Sequence, residues 1–309
     1  MGEVSMALVG AGAVGCYYGG RLAMAGEDVS FLFRGGYEEV CERGAISGKS
    51  LDGDFELKSP KVFQSAEEIG PVDLVIVAWK ATSNAHYEEV IGPLLHEETV
   101  ILTLQNGLGN TEKLAELFGA ERVLGGLCFV CINALSPGEV EHSGGGKVSL
   151  GEFRGGELAR VEALAERFRR AGVQCQVESN LGHAQWRKLV WNVPFNGLCI
   201  TEGGIDTKRL LAGEEGESRV RGLMAEVLQG ASALGYEMEP SFVEKMISVT
   251  HSMGAYRPSS MIDFVEGRAV EVEQIWREPL RRAKERGVSL PTWEVLLGEI
   301  EQRLRERDA

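Results

Sequence analysis

The stretch at residues 6–15, Met-Ala-Leu-Val-Gly-Ala-Gly-Ala-Val-Gly, decides the fold. An apolar run ends in a glycine loop, and Ala13 to Ala25 beyond it reads as a helix. Strand, Gly-x-Gly-x-x-Gly and helix in that order predict a dinucleotide-binding turn. Gly10 makes the tight turn, Gly12 lets the backbone approach a pyrophosphate, and Gly15 lets helix and strand pack closely. Ala11, Ala13 and Val14 complete the loop, and the helix start offers backbone N–H groups to the phosphates.

Working outward, "DVSFLF" (28–33) supplies a second strand, "DLVIVAWK" (73–80) a third, and "TVILTLQNGLG" (99–109) another of the same form. Strands apolar on both faces, alternating with helices, predict a parallel sheet covered on each side. "SLDGDFEL" (50–57) reads as a hairpin turning near Asp52–Gly53. "GGLCFVCINAL" (125–135), "GKVSLGEF" (146–153) and "VQCQV" (173–177) add strands, the first two with glycine-rich surroundings that suggest edge pairing. A helix is expected over Glu157–Gly172. Beyond Ser179 the pattern is helical, with helices near 181–198, 217–234, 240–253, 259–266, 271–286 and 291–307. The expected architecture is an α/β, Rossmann-type N-terminal domain with a parallel sheet (1–178), then an all-α substrate and catalytic domain (179–309).

The bulk numbers agree with a two-domain globular protein: 309 residues, 44% hydrophobic and 25% charged. A formal net charge of −14 argues against nucleic acid or an anionic membrane as the main partner. The N-terminal "MGEVSMALVG" lacks a basic signal-peptide region, and the apolar run at 72–79 is far short of a membrane span, so the cytoplasm is expected. There the six cysteines read as free thiols. Cys128 and Cys131 form a single C-x-x-C without further ligands, so no metal is expected.

The cofactor's sub-type follows from the second strand. An NAD site would place Asp or Glu at its end to bind the ribose 2′-hydroxyl. Here the strand ends "FLFRGG", and Glu27 and Asp28 precede it instead. Arg34 can pair bidentately with a 2′-phosphate, which points to NADP, with a plain surface arginine as the alternative. Lys80 and Asn106 lie at the carboxyl ends of two further strands, the edge where open α/β sheets bind ligands.

"KLVWNVPFN" (188–196) places Lys188, Asn192 and Asn196 at i, i+4 and i+8, on one face of a helix. A solvated stripe is the plain alternative, but such faces usually carry Glu–Lys pairs rather than two amides and one cation. Pro194, between the asparagines, should kink or locally unwind the helix.

Together these pieces resemble the ketopantoate reductase (2-dehydropantoate 2-reductase) family. They are "GAGAVG", Arg34, Lys80, "QNG" (105–107), "KLVWNVPFNGL", "SSM" (259–261) and "GRAVEVE" (267–273), in the family's order over residues 6 to about 290. The resemblance implies NADPH-dependent reduction of ketopantoate to pantoate in pantothenate synthesis. It implies that Lys188 is the general acid. Asn192, Asn196, Ser260 and Glu271 would hold the substrate, and Asn106 would contact both cofactor and substrate. Val270 stands where the family commonly has threonine. The expected site is the domain interface, and the expected partner a small 2-keto acid. A homodimer is compatible with a sequence otherwise silent on assembly. Two alternatives stay open: reduction of another 2-keto acid, and NADP binding or sensing without turnover.

Overall fold

In the computed structural model the described residues are 4–155 and 158–309, so the expected helix start at Glu157 lies outside them. The chain forms two compact units. One runs to Asn106 and resumes over Asn110–Leu181; the other comprises Gly107–Gly109 and Gly182–Ala309.

The first unit is built on ten strands: β1 (Ser5–Val9), β2 (Asp28–Leu32), β3 (Ala45–Ser50), β4 (Phe55–Lys58), β5 (Lys61–Phe63), β6 (Leu74–Val77), β7 (Val100–Thr103), β8 (Val123–Ser136), β9 (Glu139–Glu152) and β10 (Cys175–Glu178). Their order is β4-β3-β9-β8-β7-β6-β1-β2-β5, with β10 paired to β9. From β5 through β2, β1, β6 and β7 to β8 every pairing is parallel. The expected Rossmann-type core is therefore present, extended into a mixed sheet by antiparallel β8–β9 and β3–β4.

Alternation along the strands explains why both faces are apolar. Met6, Leu8, Leu74 and Ile76 enter one buried cluster, while Ala7, Val9, Val75 and Val77 enter another. β8 and β9 are not edge strands. Each is 14 residues long and lies inside the sheet. β9 carries β3 on its first half and β10 on its second. Glycines at 144–146 serve an irregular register within this ribbon rather than a sheet edge. Cys128 is buried and Cys131 half-buried, and all six cysteines are free. Outside the sheet, buried Arg167 of the helix Ala159–Arg170 pairs with Glu27, just past the helix Ala13–Met24.

The second unit is helical: Leu181–Thr201, Thr207–Leu210, Glu214–Ala233, Ser241–Met253, Ser259–Val265, Glu278–Lys284 and Pro291–Asp308. The helix expected over 271–286 begins instead as a π turn, Glu273–Arg277. Pro279 has no N–H to give the Ile275 carbonyl, and the Gln274 carbonyl accepts the Leu108 N–H at 2.9 Å. Leu108 itself is buried in this unit's core. Gly107 has φ +80°, and a Cβ there would lie 2.2 Å from the Gln274 carbonyl oxygen, so only glycine fits.

Pro194 does not break its helix, which runs unbroken over Leu181–Thr201. The neighbouring Val193 carbonyl accepts the Trp276 indole N–H at 3.0 Å. Among the described residues no helix is long and apolar enough to cross a membrane.

Candidate functional site

The first unit gathers its predicted residues at one sheet edge. Because β2, β1, β6 and β7 are parallel neighbours, the glycine loop, Arg34, Lys80 and Asn106 all follow carboxyl ends on the same side. Gly10 has φ +95°, and a Cβ on it would lie 2.3 Å from the backbone nitrogen of Trp79. A Cβ on Gly15 would lie 2.3 Å from the Gly10 carbonyl oxygen and 2.7 Å from Leu8 Cδ2. The loop is thus pressed onto β1 and the end of β6. Gly12 differs: nothing lies within 4 Å of the position a Cβ would take. The helix that starts at Ala13 has no side-chain cap on its first N–H groups. The loop's Ala11 carbonyl accepts the Cys16 thiol at 3.2 Å, and burial pushes that thiol up to about 12.

These features fit a dinucleotide. The open side of Gly12 and the uncapped helix start suit a pyrophosphate. The Trp79 indole N–H is buried without a partner, and its ring stacks on Tyr87 at 5.7 Å. An unpaired buried donor costs roughly 1–3 kcal/mol, which a ligand acceptor beside the loop would offset.

Arg34 is exposed just beyond β2, its Nη1 3.4 Å from the Ser83 hydroxyl. That distance is too long to lock the guanidinium, which stays available to an anion. Ser83 belongs to the 3₁₀ turn Ala81–His86, and exposed Lys80 immediately precedes that turn. Two cationic side chains therefore flank the glycine loop on the strands either side of β1.

Asn106 is held by a chain of amides. The Tyr87 and Thr103 hydroxyls donate to Gln105 Oε1 at 2.5 and 2.8 Å. Gln105 Nε2 donates to Asn84 Oδ1 at 2.7 Å, and Asn84 Nδ2 to Asn110 Oδ1 at 2.8 Å. Asn110 Nδ2 then donates to the Asn106 carbonyl at 2.8 Å. Sequence reasoning passed over Asn84 and Asn110. The one available signal was the recurrence of amides just after two strand ends.

In the second unit the polar line runs inward. Lys188 is half-buried, Asn192 is 7% exposed and Asn196 only 2%. Helical spacing sets the face of such a line but not its depth, and here the face is interior. Asn196 Nδ2 donates to the Asn192 carbonyl at 3.2 Å, and its Oδ1 accepts the Ser260 backbone N–H at 3.0 Å. Ser260 is buried in the first turn of Ser259–Val265, whereas Ser259 is exposed. Glu271 is 6% exposed, directly ahead of the π-turn segment. Direct hydrogen bonds thus join Asn192, Asn196 and Ser260. Lys188 stands one helical turn before Asn192, and Glu271 is buried in the same unit. Buried amides are costly unless hydrogen-bonded, and Asn196 meets that demand through the Asn192 carbonyl and the Ser260 N–H. Among the described residues no group of three His, Cys, Asp or Glu side chains is arranged to hold a metal.

Comparison with known proteins gives a consistent result. Residues 6–155 match the family described as ketopantoate reductase PanE/ApbA, and residues 180–303 match its C-terminal domain. The 2-dehydropantoate 2-reductase of Nostoc sp. is 37% identical over 94% of this chain and 92% of its own. A crystal structure of 2-dehydropantoate 2-reductase from Geobacter metallireducens superposes with a TM-score of 0.94 at 46% identity, covering 97% of this chain and 99% of that one. The Methylococcus capsulatus 2-dehydropantoate 2-reductase gives 0.90 at 30% identity, covering 99% and 98%.

Proposed function

The chain belongs to the ketopantoate reductase family, and on that premise we propose that it reduces 2-dehydropantoate (ketopantoate) to pantoate with NADPH, as a step of pantothenate biosynthesis. The observation that carries this reading is the interior course of Lys188, Asn192 and Asn196. A solvated stripe would need no partner, whereas a buried one suits a small polar acid.

When bound, the nicotinamide supplies the hydride that adds to the keto carbon. Negative charge then builds on the keto oxygen, and the Lys188 ammonium stabilises it and donates the proton. The Asn192 amide donates to the substrate carboxylate without adding a second charge. Asn196 already spends its oxygen on Ser260, so it acts through one remaining amide hydrogen and by fixing Ser260. The buried Glu271 carboxylate accepts from the substrate's primary hydroxyl, with the Ser260 hydroxyl beside it. In the first unit Arg34 takes the 2′-phosphate as a bidentate pair and Lys80 adds charge. Asn106, fixed through Asn110, presents its amide to nicotinamide and substrate. Six free thiols suit a protein working in the reducing cytoplasm.

The test is a panel of 2-keto acids assayed by oxidation of NADPH and of NADH. Ketopantoate with NADPH should give the highest kcat/KM. Faster turnover of a simpler keto acid would reassign the substrate, and no turnover of any would favour a sensing protein.

A further inference from the structure

We infer that Trp191 is the specificity-determining residue by which this chain favours 2-keto acids branched at the carbon next to the keto group. The inference rests on the assignment of Lys188 and Asn192 to the keto acid made above.

From Leu189 to Thr201 every residue of the helix is buried except Trp191. Trp186, Trp276 and Trp293, in the same unit, are fully covered. Trp191 is half-buried, as is Lys188 at the start of the polar line. It lies three residues after Lys188, hence beside it on the helix surface, while Asn192 flanks Lys188 on the other side. A keto acid with its carbonyl at Lys188 and its carboxylate at Asn192 must direct its carbon chain away from the amides. The neighbouring surface on that side is the indole.

That surface is rigid. The Trp191 indole N–H donates to the Thr250 hydroxyl at 2.9 Å, and Thr250 donates to the Met246 carbonyl at 2.7 Å. The ring stacks on buried Phe195 at 4.9 Å and 30°, and Tyr256 lies against it at 5.8 Å. Tyr256 is itself fixed, its carbonyl accepting the Thr207 N–H at 2.9 Å, four residues before Ser260. With the hydrogen-bonding end turned to Thr250, the indole offers a substrate only apolar ring surface. Such a wall rewards methyl groups packed against it and offers an unbranched chain little.

The experiment compares kcat/KM for 3-methyl-2-oxobutanoate and for 2-oxobutanoate with NADPH, in the wild type, Trp191→Leu and Thr250→Val. The wild type should prefer the branched acid by about tenfold or more, the scale of one alkyl group in an apolar pocket. Trp191→Leu should lower that ratio by about tenfold, chiefly through KM for the branched acid, with the NADPH Kd unchanged. Thr250→Val keeps the indole but releases its N–H, and should lower the ratio by a smaller factor. A wild type without preference, or a ratio unmoved in the variants, overturns the inference while leaving the reductase assignment standing. A wild type that turns over no keto acid, ketopantoate included, removes the reductase assignment itself. Should Trp191→Leu not fold, Thr250→Val decides alone, and an unchanged ratio there is against the inference.

Discussion

The side-chain oxygen of Asn196 accepts the backbone N–H of Ser260 at 3.0 Å, joining two elements 64 residues apart in sequence. The asparagine proposed to hold the substrate is thus itself tied to Ser260, a second proposed substrate contact. Asn196→Leu should therefore lower unfolding stability by about 1–3 kcal/mol, the cost of a stranded buried donor, and raise KM for the keto acid. Asn196→Asp keeps the acceptor for Ser260 but, when ionised, sets a buried carboxylate against the Asn192 carbonyl, so its loss of stability should shrink as pH is lowered. Urea unfolding midpoints and steady-state kinetics on both variants check the pair; equal stability in all three proteins would contradict it.

For Lys188→Ala the expected outcome is a kcat lower by roughly 10²–10⁴ with NADPH affinity kept, the pattern for a lost proton donor. Fluorescence titration with NADPH and turnover of ketopantoate separate the two quantities. Full turnover in this variant would take the lysine out of the chemistry.

Arg34→Ala should weaken NADPH much more than NADH, because only the former carries a 2′-phosphate for the guanidinium. Its long contact with Ser83 predicts almost no change in melting temperature. Equal weakening of both cofactors would show that the arginine does not read the phosphate.

Burial pushes the thiols of Cys16, Cys175 and Cys199 from 9.0 up to about 12. With the folded values raised, the unfolded chain ionises first. The contribution of these groups is complete below pH 9 and lost as pH climbs from there towards about 12. Stability should fall over that alkaline window, and less steeply in Cys199→Ala compared at matched pH. The same three thiols should resist iodoacetamide at pH 8 while exposed Cys41 reacts. Alkylation mapped by mass spectrometry tests this directly.

Features written in short segments could be read from the sequence. The β1–loop–helix unit is legible because its steric demands fall on adjacent residues, as Gly15 against Leu8 illustrates. The second unit's helices are likewise marked by local stops and starts such as Gly235, Gly287 and Pro291. Where partners are remote, local pattern misleads or says nothing. Glycines at 144–146 suggested an edge, yet β9 has neighbours on both sides because β3, whose Ser47 faces Glu139 from far earlier in the chain, pairs with it. The π turn at Glu273–Arg277 follows from Pro279 together with a carbonyl claimed by Leu108, and no window around residue 275 contains the latter. Asn84 and Asn110 carry only a faint local signal for the same reason: each amide acquires its meaning from a strand end elsewhere.

Leu108 also bears on how this protein can be divided. A gene cut at residue 182 to release the helical unit would yield a fragment with an empty socket in its core and a surplus acceptor at Gln274. The missing plug is encoded more than seventy residues upstream, in the tail of a Rossmann strand. Ribosomal synthesis therefore makes the plug long before its receptacle. A workable split protein would have to keep the two halves together during folding, or graft a Gly-Leu-Gly segment back onto the second.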